Sequence, residues 1–259
     1  MSKDERWQSS LTSIAPDKIL VRGYCLDEMM GRLTFAEAVY LLLMGELPTP
    51  SIGKMFDAIL VSSIDHGVMP PSTLAARNVA TSGAPLKDAV AAGILGFGPH
   101  HGGDIESCMK FLDAGLALTR GGRTVQQAAE TLVEDCARVK EVPPGFGHRI
   151  HTRDPRAARL FQMALELELE GEHVRLIRAV EGVLKGTPPV NVDGAIAAVA
   201  GDLGFAYDLG NALFLASRLP GLIAHAHEER VRQEPMRQID PKDHTYDGAR
   251  ERRLPERRK

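Results

Sequence analysis

The sequence predicts an all-α protein, and three observations carry that expectation. Apolar residues recur at helical spacing along most of the 259-residue chain. Thr, Asn or Asp stands where several of these runs begin, and Gly or Pro where they end. Strand signals are few, and the best candidate is one short segment, KILVRGY at residues 18–24. In chain order, the first strong helix is TFAEAVYLLLMGELP, residues 34–48. Its capping box is Thr34 with Glu37, and Gly45 and Pro48 stop it. APLKDAVAAGILGFG, residues 84–98, places small and apolar residues at helical spacing and ends in glycines. TVQQAAETLVEDCARVK repeats the capping box at Thr124 and Gln127. DPRAARLFQMALELELE starts from an Asp154 cap with Pro155 in the first turn. NVDGAIAAVAGDLG and LGNALFLASRLPGLIAHAHEER follow. Typical helices of about 11–12 residues make roughly a dozen in a chain of this length.

Composition narrows the partners. Apolar residues are 44% and charged residues 25%, an ordinary globular balance, and the net charge of −3 is too small to favour nucleic acid or a membrane surface. No apolar run reaches the roughly 18 residues of a membrane helix, and the charged start MSKDERWQSS has no apolar leader core, so a cytoplasmic protein is expected. Cys25, Cys108 and Cys136 are odd in number and lack CxxC or Cys/His spacing, which favours neither a disulfide framework nor a zinc site. The tail RERRLPERRK, residues 250–259, reads as a solvated end.

The unusual residues lie between helices. Three Gly- or Pro-rich loops each carry a titratable side chain: GPHHGGD around His101, PPGFGHRIHTRDPR around His148 and TPPVNVDG around Asp193. Helix packing does not need such loops, whereas catalytic groups often sit on loops of a rigid scaffold. Two imidazoles and a carboxylate form a minimal acid/base set, because imidazole titrates near neutrality and a buried carboxylate can be raised towards it. Arg149, Arg153 and Arg156 could grip carboxylates in a bidentate manner. Arg218 stands in the otherwise apolar LFLASRLPGLI, where an arginine needs an anion. The pattern points to a small polyanion undergoing proton transfer, with satisfied loop histidines and surface ion pairs as the plainer alternative. A metal site is not expected. His225 and His227 point about 200° apart on a helix, and the adjacent His100 and His101 also diverge. No Walker-type loop, strand-linked GxGxxG or GxSxG is present.

These loops also resemble those of the citrate synthase family. GPHHGGDIE is similar to its GPxHGGxxE segment, PPGFGHRIHTRDPRA to PGFGHxxxxxDPRA, VNVDG to the aspartate loop, and SRLPGLIAHAHEE to SRxxGxxAHxxE. LVRGYCLDEMMGRLTFAEAVYLLLMGELPTP and SIDHGVMPPSTLAAR resemble two earlier segments, and all six stand in family order across about residues 18–247. Only 15 residues separate Thr49 from Asp65, where typical citrate synthases have a long helical insertion. That compactness, with the Asp65-His66-Gly67 triplet and the NVDG loop, looks more like citryl-CoA lyases. His101 is a synthase-like feature, since the lyase module of ATP-citrate lyase lacks it.

The resemblance implies an all-α, citrate synthase-like fold. Its larger helical domain would comprise residues 1–103 and 205–259, and a smaller one, 104–204, would close over CoA. It implies that His101 stabilises the acetyl-CoA enol at the thioester oxygen and that Asp193 exchanges the methyl proton. His148 would act on the oxaloacetate carbonyl or the citryl hydroxyl, and His66, Arg156 and Arg218 would hold the dicarboxylate. Pro144, Gly145, Phe146 and Gly147 would meet the CoA adenine through their backbone. His100 would be a neighbour only. The implied partners are acetyl-CoA or citryl-CoA with oxaloacetate, in a homodimer, and the coenzyme A thioester would be a substrate with no tightly bound cofactor. The expected activity is citryl-CoA cleavage, with citrate or 2-methylcitrate synthesis, or a non-catalytic CoA-binding subunit, as alternatives. One match fails: the family's C-terminal Arg-Pro, whose arginine reaches the neighbouring subunit's substrate, is Glu234-Pro235 here, with Arg232 or Arg237 as possible substitutes.

Overall fold

The computed structural model describes residues 8–98, 101–102, 104–148, 152–185 and 187–254. It opens with three short antiparallel strands in chain order, β1 (Thr12–Ala15), β2 (Lys18–Val21) and β3 (Tyr24–Cys25). Thr12 faces Val21, and Leu20 faces Cys25. KILVRGY is therefore not one strand. Arg22 and Gly23 both adopt positive φ, as a tight hairpin turn requires, so the chain folds back between β2 and β3.

The described residues beyond are helical or connecting. The helices are α1 (Leu26–Met29), α2 (Phe35–Met44), α3 (Pro50–Ser62), α4 (Pro71–Ala80), α5 (Leu86–Leu95), α6 (Asp104–Arg120), α7 (Val125–Val139), α8 (Pro155–Glu166), α9 (Glu172–Val183), α10 (Val192–Asp202) and α11 (Gly210–Arg232). The expected capping boxes are present: Thr34 with Glu37 starts α2, and Thr124 with Gln127 starts α7. Gly45 ends α2 in the left-handed conformation. Asp154 caps α8 and Asn191 caps α10 through side-chain oxygens.

Helix α10 is the axis of the main core. Ala195 through Ala200 are at most 1% exposed, and α6, α8 and α9 pack around them. A helix apolar on every side belongs inside, and its alanines let three neighbours approach closely. Met55, Phe56 and Ile59 of α3 join the same core. A second cluster, with Ala76, Ala80, Ala89, Leu222 and Ala226, holds α4, α5 and α11 together. Beside it Arg77, nearly buried, donates from Nε to Glu229 at 2.7 Å, and Arg237 reaches the same carboxylate at 2.6 Å. Breaking such a buried pair typically costs about 3–5 kcal/mol because a charge is stranded.

The start of α9 is capped from a distance. Gly171 offers no side chain, so Asp202, at the end of α10, accepts from the backbone N–H groups of Gly171, His173 and Val174 at 2.8–3.1 Å. It also holds His173 Nδ1 at 2.9 Å, while Asp113 meets Nε2 at 3.2 Å. Burial alone would lower the His173 pKa, but the hydrogen bonds and charges of Asp202 and Asp113 outweigh it and raise the value. The stability that the protonated ring contributes is therefore full below the unfolded value of about 6.5 and is lost as pH climbs through the raised folded value. Urea unfolding of His173→Gln should lack this decline on the alkaline side. Asp202→Ala should cost about 2–3 kcal/mol at pH 6, as buried N–H groups lose their acceptor.

Candidate active site

Six separate elements converge on one cavity of about 340 Å³, within the range of small-molecule sites. His66 follows α3, His101 lies between α5 and α6, and His148 precedes α8. Arg156 and Asp193 occupy the first turns of α8 and α10, and Arg218 lies within α11. All six line the cavity, as do Phe146 and Gly147 from the PPGFG loop, whereas Pro144 and Gly145 do not. Arg153 is exposed and outside the lining. His100, Gly103 and Arg149 lie outside the described residues.

Two buried polar atoms in the cavity wall have no partner among the described residues. Arg218 is 2% exposed. Its Nε donates to the Ser63 carbonyl at 2.7 Å and its guanidinium lies 4.7 Å from the Phe214 ring centre, but its Nη1 is unmatched. Asp193 Oδ1 is the other orphan. An unmatched buried donor costs about 1–3 kcal/mol, more when charged, so a site that keeps one invites a ligand that supplies the missing acceptor. Arg156 is held in a bidentate grip by Asp154, Nε to Oδ1 at 3.0 Å and Nη2 to Oδ2 at 2.8 Å, and so presents a fixed cation to the cavity.

The titrating groups are shifted in opposite directions. Burial first, then the charge of Asp104, pushes Asp193 up to about 6, against the pull of Arg156 and Arg218. Burial, then Arg218 and His66, brings His101 down to about 4. His101 is therefore a neutral imidazole at neutral pH, and Asp193 is a carboxylate whose proton is easily exchanged there. Ser72, in the first turn of α4, lies 2.7 Å from His101 Nε2. With the hydroxyl donating to Nε2, the ring proton sits on Nδ1, free to donate to a substrate. The rings of His66 and His148 meet edge to face, 5.7 Å between centres.

Main-chain bonds join the PPGFG loop to the aspartate loop. The Gly145 carbonyl accepts from Asn191 N at 3.0 Å, Gly147 N donates to the Pro189 carbonyl at 2.8 Å, and Asn191 Nδ2 donates to the Gly147 carbonyl at 2.9 Å. A Cβ on Gly145 would stand 2.6 Å from both Gly194 Cα and Cys108 Sγ, and its φ of +82° also excludes other residues. Asp154 adds a further tie, accepting from Val192 N at 3.0 Å.

The HAHEE run, by contrast, is structural. His225 Nε2 meets Asp65 at 3.0 Å, Glu228 and Glu229 engage Arg77, and His227 is exposed. No group of three or more His, Cys, Asp or Glu is placed to hold a metal ion among the described residues. No helix among them is long and apolar enough to cross a membrane. Ser72 and Asp104 are site residues that sequence reasoning passed over. Each stands in the first turn of a helix, where a small polar residue reads as an ordinary start signal.

Known proteins resemble this chain in sequence and fold. Citrate synthase 2 of Bacillus subtilis is 33% identical over 202 residues, covering 75% of this chain and 52% of that protein. The chain spans about half the length of the curated citrate synthases it matches. The solved structure of citryl-CoA lyase from Hydrogenobacter thermophilus superimposes with a TM-score of 0.87 at 40% identity, covering 96% of this chain and 97% of that one. ATP citrate lyase from Methanosaeta concilii, solved with (3S)-citryl-CoA, shares the fold at a TM-score of 0.79 and 22% identity, over 97% of this chain and 43% of that one. The family model for the citrate synthase C-terminal domain matches residues 48–241. Over that span, with its loops gathered around one cavity, the chain belongs to the citrate synthase family.

Proposed function

We propose that the protein is a citryl-CoA lyase, cleaving citryl-CoA reversibly to acetyl-CoA and oxaloacetate. The observation that carries this is the convergence of His101, His148 and Asp193 with three cationic or hydrogen-bonding groups, His66, Arg156 and Arg218, on one cavity. The likeness to a citryl-CoA lyase along nearly the whole of both chains supports it. Arg218 Nη1 and Arg156 suit carboxylates of the substrate. In cleavage His148 takes the proton of the citryl hydroxyl, and that oxygen becomes the oxaloacetate carbonyl as the carbon–carbon bond breaks. The bond's electron pair passes into the thioester enolate, whose oxygen accepts a hydrogen bond from His101. Asp193, entering as the acid, protonates the enolate carbon to give acetyl-CoA. Solvent then returns the proton from His148 to Asp193. The thioester is a substrate, and no other cofactor is required by this chemistry. We place the reaction in the cytoplasm and in a homodimer. Arg232 and Arg237 are each engaged by a glutamate of their own chain, Glu228 and Glu229. Neither of the two substitutes the sequence offered for the family's intersubunit arginine is therefore unpaired within its own chain.

Synthase activity is the second reading, favoured by the relationship to citrate synthases over most of this chain. It needs one further step, attack of water on the citryl thioester. Product analysis separates the two. Incubated with citryl-CoA, the protein should yield acetyl-CoA and oxaloacetate. Citrate and free CoA would instead mark a synthase. Inertness both to citryl-CoA and to acetyl-CoA with oxaloacetate would leave only a CoA-binding subunit, a role that gives no reason to keep all three catalytic side chains together.

A further inference from the structure

Asp104 has a role that its position alone would conceal. It is the first residue of α6, where an acidic side chain ordinarily complements the helix dipole or caps its own helix. That capping is supplied from elsewhere here: Asn211 Oδ1, from α11, accepts from the Glu106 backbone N–H at 3.1 Å. Asp104 Oδ2 instead reaches across the chain and accepts from Gly145 N at 2.6 Å. Gly145 is thereby held from two sides, by Asp104 through its N–H and by Asn191 through its carbonyl. The carboxylate also lines the cavity that contains Asp193.

We propose that Asp104 is a positioning residue, whose carboxylate latches the 143–147 loop onto α6 and whose charge, facing the same cavity, poises Asp193 for proton transfer. The charges around Asp193 come from every side. Asp104 faces it from α6, Asp154 and Arg156 from the start of α8, and Arg218 from α11. On α9, Glu181 binds Val190 N beside the aspartate loop. Of the two negative charges, Asp154 is already paired with Arg156, which leaves Asp104 as the one whose removal most directly favours ionised Asp193. The direction of the Asp193 shift, with Asp104 the largest contributor after burial, agrees.

The inference rests on the CoA-thioester reading, and two variants test it in the intact protein. Asp104→Asn keeps an oxygen that can accept from Gly145 but loses the charge. Asp104→Ala loses both. CoA affinity by titration calorimetry should fall about tenfold in Asp104→Ala, the usual worth of a charge-assisted hydrogen bond, and stay within about twofold in Asp104→Asn. The pD midpoint of acetyl-CoA methyl exchange, measured with an oxaloacetate analogue bound, should move lower in both. An unchanged affinity in Asp104→Ala overturns the latch, and an unmoved midpoint in Asp104→Asn overturns the charge effect. A purely structural role would lower the melting temperature and move neither. Should the wild type show no exchange at all, the lyase reading fails, whereas the CoA titrations still decide the latch.

Discussion

Asp193→Asn is expected to reduce citryl-CoA cleavage and acetyl-CoA methyl exchange by roughly 10³-fold, within the usual range for a removed general acid or base. An amide at this position neither takes nor gives a proton, while the shape of the side chain and the Asn191 cap of α10 are kept. CoA affinity should therefore change little. The orphaned Oδ1 strengthens the expectation that this carboxylate acts on a ligand rather than holds the fold together. The wild type carries a pH signature as well. Methyl exchange needs the ionised carboxylate, so its rate should rise with pH through about 6 and level off above. Cleavage behaves differently. On the proposed mechanism it needs Asp193 protonated, so its rate should fall as pH rises through about 6. Exchange measured by mass spectrometry at several pD values, wild type against variant, checks both parts. A variant that exchanges at the wild-type rate would remove Asp193 from the mechanism.

His101→Ala ranks second, with an expected loss of roughly 10²–10³-fold, the usual cost of a missing oxyanion donor. The ring is neutral near pH 7, so in the proposed mechanism it would work as a preorganised dipole rather than an acid. A Ser72 hydroxyl donating to Nε2 would hold the ring proton on Nδ1. Ser72→Ala should consequently lose part of the same activity, about tenfold, because the ring is then free to adopt the wrong tautomer. Enolisation rates of the two variants against CoA affinity make the comparison. Equal losses of affinity and rate would point to general disruption of the loop instead.

That His101, His148 and Asp193 stand apart from the packing was legible in the sequence, because each sits in or beside a glycine- or proline-rich connection that helix packing does not demand, and the structure brings all three to one cavity. The capping boxes at Thr34 and Thr124 fixed two helix starts for local reasons, and both appear in the structure. What escaped was decided at long range or by turn chemistry. β1 and β3 are too short to signal themselves, and Gly23 inside KILVRGY marked a reversal rather than a strand residue. α3, α4, α6 and α9 went unread because lysines, arginines and small polar residues break up their apolar runs along the sequence. Arg218 was expected to need an anion. The structure satisfies its Nε with the Ser63 carbonyl and leaves Nη1 unmatched. Ser72 and Asp104 have ordinary local explanations as helix-start residues. Only the approach of α4 to the His101 loop, and of Gly145 to α6, gives them another purpose.

The contact between Gly145 and Gly194 also limits how this pocket can be redesigned. Neither position has a side chain to shorten, and neither tolerates one, so the seam behind the cavity wall cannot be loosened by trimming. A variant library aimed at longer acyl groups would be wasted there. Room has to come from Phe146 or Phe214, aromatic rings on the same cavity whose truncation leaves the backbone seam between the two loops closed.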